Sequence, residues 1–154
     1  MENQILNGNI IFSNGCIEHR QTIRIIYADV DKMGVVYNGN YLRFFEIGRT
    51  ELMRGLGLPY AEVEKMGYFL PLIEAKIGWK GAAHYDDLIE IVTRYVPDIS
   101  SPKIRFDYKI FVGKKEIASG YTIHSFVRVD NFKAVKPPKF FFEILEKNKI
   151  HTLK

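Results

Sequence analysis

The stretch from Asn38 to Gly55 constrains the fold more than any other part of the chain. Leu42, Phe45, Ile47, Leu52 and Leu56 recur near helical spacing, and Tyr41, Phe44 and Met53 widen the apolar surface beyond one stripe. A helix so apolar has to be covered on several sides rather than lie on a surface. Asn38 or Asn40 can cap its start, and Gly55, Gly57 and Pro59 end it. A short helix is expected over Tyr60–Met66.

The chain then changes period. Phe69–Gly81, Leu88–Val96, Lys103–Val112 and Glu116–Val129 alternate as strands, and Gly113-Lys114-Lys115 joins the last two as a hairpin. Pro97–Pro102 is a loop, with prolines and serines interrupting the pattern. Before the helix, Thr22–Tyr27 reads as a strand, and Ile10–Phe12 as a short one between the turn dipeptides Asn7-Gly8 and Asn14-Gly15. Pro137-Pro138 opens a short C-terminal helix, about 137–147, carrying Phe140, Phe141, Ile144 and Leu145. No alternating strand–helix–strand pattern is present. The expectation is an α+β fold, an antiparallel sheet of about five strands wrapped around one long central helix. At 154 residues the chain suits one domain, 1–154, with its core over about 20–130.

Charge and special residues exclude several function classes. The net charge of +4 is carried by the stretch from Lys133 to Lys154, where six Lys face Glu143 and Glu146. The body is neutral, which argues against nucleic acid as partner. The tail either solubilises the last helix or steers anionic ligands. Cys16 is the single cysteine, which fits a reducing, cytoplasmic setting without a disulfide. No apolar run is long enough to span a membrane, and the first residues, MENQILNGNIIFSNG, lack the basic and apolar regions of a leader. His19, His84, His124 and His151 show no metal spacing, so no metal or cofactor is expected.

Candidate chemistry concentrates between the first strand and the long helix. If the strand persists, Tyr27, Asp29 and Asp31 share one face at period two. The free N–H groups of a helix start can hold a developing oxyanion, and Asp31 lies seven residues before Asn38. A carboxylate facing an oxyanion site suits acyl transfer or hydrolysis, whereas an ordinary solvated turn accounts for the same aspartates without chemistry. Glu46, two turns into the helix, is expected to pair with Arg43 or Arg49. Asp86-Asp87 reads as a strand-opening turn.

The run Tyr27-x-Asp29-x-Asp31-x-x-Gly34-Val35-Val36-Tyr37-x-x-Asn40-Tyr41-Leu42-Arg43-Phe44-Phe45-Glu46-x-x-Arg49-Thr50-Glu51 resembles the signature of the hot-dog-fold acyl-CoA thioesterases. It is similar to the 4-hydroxybenzoyl-CoA thioesterase family, especially its Tol-Pal-associated branch. Ala83-His84-Tyr85-Asp86-Asp87 resembles the Tyr-Asp-Asp that opens a strand there. The resemblance implies Asp31 as the catalytic carboxylate and the Asn38 N–H as the group polarising the thioester carbonyl. It implies Gly34, Val35, Val36, Tyr37 and Tyr41 at the substrate, with Ser101 and Lys103 toward the coenzyme A phosphates. It also implies dimers joined edge to edge, often paired into tetramers, with sites between protomers. The branch usually carries His where Asn38 stands. The activity implied is hydrolysis of acyl-CoA. A non-catalytic hot-dog protein that holds acyl-CoA or acyl-carrier protein is the alternative.

Overall fold

The computed structural model describes residues 5–148. The chain opens with a hairpin of β1 (Ile5–Ser13) and β2 (Cys16–Arg24). Asn14 and Gly15 both take positive φ at its turn, the backbone that a two-residue hairpin loop requires. Asn7-Gly8, expected as a turn, instead lies inside β1, where the register with β2 shifts between Ile5 and Gly8. The expected strand Thr22–Tyr27 is displaced toward the N-terminus. β2 ends at Arg24, and Tyr27–Asp29 forms a 3-10 turn, so Tyr27, Asp29 and Asp31 do not alternate on a strand face.

Helices α1 (Asn40–Gly55) and α2 (Tyr60–Lys65) follow, then β3 (Tyr68–Phe69) and β4 (Leu72–Trp79). The single strand expected over Phe69–Gly81 is thus broken at Leu70-Pro71, because proline cannot donate to a ladder. β5 (Leu88–Tyr95), β6 (Lys103–Val112), β7 (Lys115–Arg128), β8 (Ala134–Val135) and α3 (Lys139–Lys147) complete the described chain. The pairing is antiparallel throughout, in the order β1-β2-β5-β6-β7-β3, with β4 and β8 also on β7. The short β3 and β8, and the length of β1, raise the strand count above the expected five. The arrangement remains that of a hot-dog fold, a sheet curled around one long helix.

α1 buries one broad face, formed by Tyr41, Phe44, Phe45, Gly48, Leu52 and Met53. These positions recur at three and four residues and meet Ile23, Ile89, Ile91 and Tyr108 of the sheet in one core. Gly48 sets the depth of contact. A Cβ there would lie 2.2 Å from Thr93 Oγ1 and 2.9 Å from Ile91 Cγ2, so only glycine allows the helix to sit this close to β5. The opposite flank departs from expectation. Leu42 and Glu46 are exposed, so α1 is covered on one broad face and left open along the side toward β4.

α3 closes the far end of the core. Phe141 and Leu145 are buried, and Phe141 packs against Tyr95 and Phe126. The tail lysines Lys149 and Lys154 lie outside the described residues.

Candidate active site

Asp29 is the structural member of the aspartate pair. Its side chain is 2% exposed and forms an ion pair with Arg43 of α1. Its Oδ2 accepts from the Ile26 N–H at 2.9 Å, and its carbonyl accepts from Tyr37 N–H at 2.9 Å and Asn40 Nδ2 at 2.7 Å. One buried residue therefore ties the 3-10 turn, the loop and the first turn of α1 together. Neither Asn38 nor Asn40 caps the helix as expected. Gly39 occupies the cap position without a side-chain bond, and Asn40 instead reaches back to Asp29.

Asp31 sits differently. It is half-buried, and its Oδ1 accepts from Met33 N–H at 2.8 Å. No donor reaches its second carboxylate oxygen among the described residues. The loop doubles back through Asp31 N–H to Val35 O at 3.0 Å and Gly34 N–H to Asp31 O at 3.0 Å. Gly34 takes φ +80 at this bend, a conformation that favours glycine. Val36 N–H then donates to Ala83 O at 2.9 Å, and Val35 bridges His84, which fastens the loop beside the entry to β5. Asp86 takes positive φ there, consistent with the expected turn.

The helix start lies next along the chain. The N–H groups of Asn38 and Gly39 enter no backbone hydrogen bond among the described residues. They carry the positive end of the α1 dipole. Tyr37 is exposed, and its ring lies over Gly39, where a Cβ would meet it at 2.8 Å. Tyr41, expected at the substrate, is 1% exposed and packs edge-on to Trp79 with ring centres 5.7 Å apart, so it supports the site from beneath.

Ser101 and Lys103 are not brought to this loop within one protomer. The Asp31 loop adjoins the N-terminal end of β5, whereas Ser101 and Lys103 follow its C-terminal end. The eight residues of β5 separate them, about 23 Å at the usual rise of a strand. Ser101 Oγ accepts from Lys103 N–H at 3.2 Å. Both line a cleft of about 510 Å³ together with Asp98, Ser100 and Arg105. Arg105 adds a cation that spacing alone did not reveal, stacked 4.1 Å over the Tyr121 ring and paired with Asp107. Hydrogen bonds from Ser100 hold the Asp98 carboxyl below the usual carboxylate range, which keeps an opposing negative charge in the cleft.

A second polar group lies inside the core. Tyr108 Oη and Thr122 Oγ1 are 2.5 Å apart, Thr122 Oγ1 is 2.9 Å from His124 Nε2, and His124 Nδ1 is 3.2 Å from Leu70 O. Burial pushes the Tyr108 hydroxyl up from its ordinary range, and the Arg49 cation partly opposes that shift. With His124 neutral the donors run one way: Tyr108 to Thr122, Thr122 to Nε2, and Nδ1–H to the Leu70 carbonyl. Burial, and next the Arg49 cation, push the His124 imidazole down to about 4. The expected pairing of Glu46 with Arg43 or Arg49 does not form. Arg43 pairs with Asp29, and Arg49 has no carboxylate at ion-pair distance among the described residues.

Acid sensitivity follows from this placement. An unfolded chain protonates His124 near its ordinary 6.5, whereas the folded protein does so only near 4. Below pH 6.5 the unfolded state therefore binds more protons, so stability is full above 6.5 and falls as pH drops toward 4. The upper bound for this one group is about 3 kcal/mol. Urea unfolding across that window is expected to show a shallower pH slope for His124→Gln than for wild type. An equal slope would remove His124 as the cause.

The comparisons with known proteins agree with this geometry. The family model described as thioesterase-like superfamily matches residues 27–145, which includes the Asp31 loop, α1 and all of β4–β7. The chain belongs to the thioesterase-like superfamily. It is 32% identical over 123 residues, 79% of this chain and 88% of the relative, to the putative acyl-CoA thioesterase YneP of Bacillus subtilis. It is 28% identical over 120 residues, 76% of this chain and 86% of the relative, to the acyl-CoA thioesterase YbgC of Haemophilus influenzae. The solved DHNA-CoA thioesterase of Staphylococcus aureus superposes with TM-score 0.78 at 28% identity, covering 86% of this chain and 91% of that one. As a member of this superfamily the chain is a thioester hydrolase of hot-dog fold. Among the described residues no three His, Cys, Asp or Glu gather to hold a metal ion, and no helix is long and apolar enough to cross a membrane.

Proposed function

We propose that this protein hydrolyses acyl-CoA thioesters to the free acid and coenzyme A, with Asp31 as the catalytic carboxylate. The observation that carries this reading is the half-buried Asp31, with one oxygen free of protein donors, held in the loop that leads to the unpaired N–H groups of Asn38 and Gly39. As general base, Asp31 takes a proton from water while the water oxygen bonds the thioester carbon. As nucleophile, it forms a mixed anhydride that water then hydrolyses. In both routes the carbonyl oxygen becomes an oxyanion facing the helix start, and the C–S bond breaks to release coenzyme A thiolate. A thioester is already activated, so neither route needs a metal or redox cofactor. Gly34, Val35, Val36 and Tyr37 line the approach to the carboxylate. The motif from Tyr27 to Glu51 supports placement in the 4-hydroxybenzoyl-CoA thioesterase family near its Tol-Pal-associated branch, with Asn38 standing for the branch's His.

A second copy of the chain completes the site in this reading. Among the described residues β4 pairs only with β7, and Leu72, Ile73 and Trp79 are exposed along it. Such an edge suits pairing with another sheet. Ser101 and Lys103 sit far from Asp31 of their own chain, so a partner's pair is placed to serve it, and pairs of dimers then build a tetramer. The single Cys16 fits a reducing cytoplasm.

Free-thiol release from a panel of short, long and aromatic acyl-CoAs by the purified protein tests the proposal. Turnover of at least one class is expected. Tight binding of acyl-CoA or acyl-carrier protein with no thiol release throughout would instead assign a holding role.

A further inference from the structure

Asn38 and Gly39 are the central residues of a turn that is closed from both sides. The Asn40 N–H donates to the Tyr37 carbonyl at 2.9 Å, and the Tyr41 N–H to the Asn38 carbonyl at 3.3 Å. The residues that flank the pair then grip one and the same atom. The Asp29 carbonyl oxygen accepts from the Tyr37 N–H at 2.9 Å on one side and from Asn40 Nδ2 at 2.7 Å on the other. The segment that carries the two unpaired N–H groups is thereby pinned at both ends to a single oxygen, in a residue two positions before Asp31.

That oxygen belongs to a residue that is itself held on two sides. Asp29 is buried, its carboxylate accepts from the Ile26 N–H at 2.9 Å, and it pairs with Arg43 one turn further along the same helix. An asparagine at a helix start ordinarily accepts from N–H groups of the first turn. The Asn40 amide instead turns backward and gives its donor to the loop that leads to Asp31. The bond is not needed to satisfy a buried carbonyl, since the Asp29 oxygen keeps the Tyr37 donor without it. Alanine is also the better helix former, so removal of the side chain leaves the helix itself intact.

We propose that Asn40 is a positioning residue for hydrolysis, whose bond to the Asp29 carbonyl sets where the Asn38 and Gly39 N–H groups point relative to the Asp31 carboxylate. This rests on the acyl-CoA reading above and adds a residue to that same site. Asn40 acts through those N–H groups rather than on the substrate. With only the Tyr37 end held, the turn pivots about one bond, and a misplacement of about 1 Å costs on the order of 100-fold in rate. The ground-state carbonyl carries less charge than the oxyanion, so the loss falls on kcat and not on KM.

Steady-state thiol release on the best acyl-CoA of the panel tests it, with thermal unfolding of each variant alongside. Asn40→Ala and Asn40→Leu, the second keeping the branched shape without a donor, are expected to lower kcat at least about tenfold with KM within about twofold of wild type. Asn40→His, whose Nδ1–H can reach the same carbonyl, is expected to turn over at least about threefold faster than Asn40→Ala. A wild-type kcat in Asn40→Ala or Asn40→Leu, a raised KM with kcat unchanged, equal rates in Asn40→Ala and Asn40→His, or a rate loss that tracks a fall in Tm across the three variants would overturn the proposal and leave the hydrolase reading standing. No thiol release by wild type from any acyl-CoA of the panel would overturn the acyl-CoA reading, and this inference with it.

Discussion

Asp31→Asn is expected to fold and assemble like wild type while turnover of its best acyl-CoA substrate falls at least about a hundredfold, the scale of losing a positioned general base. The geometry supports both halves of that result. The Asp31 Oδ1 contact with Met33 N–H at 2.8 Å needs only an acceptor, which the amide oxygen supplies, so the loop keeps its shape. The second oxygen, which no protein donor reaches among the described residues, is the one exchanged for an NH₂ group. An amide neither takes a proton from water nor attacks a thioester. Thiol release measures the rate, while circular dichroism and gel filtration check the fold and assembly. A wild-type rate in the purified variant would refute the assignment of Asp31, whichever of the two routes operates.

Asp29→Ala, two residues earlier, is expected to act on stability instead. The Asp29 side chain is 2% exposed and Arg43 39% exposed. Removing one partner of a buried ion pair costs about 3–5 kcal/mol, and the solvent access of Arg43 puts this case at the low end, about 3 kcal/mol. For a chain of this size that lowers Tm by about 6–12 °C. The Ile26 N–H also loses its acceptor, while the carbonyl bonds to Tyr37 and Asn40 depend only on the backbone and remain. Thermal unfolding followed by circular dichroism reads the effect, and Asp29→Asn is expected to recover part of it by restoring an acceptor without the charge. A Tm within about 2 °C of wild type for Asp29→Ala would show that Arg43 and the turn hold without the carboxylate.

Regular elements with strong periodicity were legible in the chain. Lys103–Val112 alternates without interruption and forms β6 over those same residues, and the apolar recurrence after Asn40 forms α1. The misreadings have local causes. Asn7-Gly8 carries a turn signal, yet pairing with β2 outweighs it and absorbs the irregularity in the register. Leu70-Pro71 interrupts a run whose hydrophobicity looks continuous. Leu42 satisfies the helical period equally well whether it faces a sheet or solvent, so its exposure depends on how the sheet packs around α1 and not on its neighbours in sequence. The same holds for the site. Motif spacing pointed to Asp31 and the helix start as candidates, but whether Asp29 or Asp31 is buried, and how far Ser101 and Lys103 lie from them, are decided by strand order. The polar chain from Tyr108 through Thr122 to His124 and the Leu70 carbonyl joins β6, β7 and the segment before β4, and has no linear signature at all.

The close seat of Gly48 on β5 has a bearing on how such a protein can change over generations. With its midpoint pressed onto Thr93 and its first turn tied to Asp29, α1 can neither slide nor roll, so its first turn keeps a fixed place beside the Asp31 loop. β4 is under no such restraint, since much of its inner face touches little within the protomer. Substitutions along Leu72–Trp79 can therefore change the surface beside α1 while leaving its first turn in place, and under the proposed function new substrate preferences can arise there without moving Asp31 or the helix start.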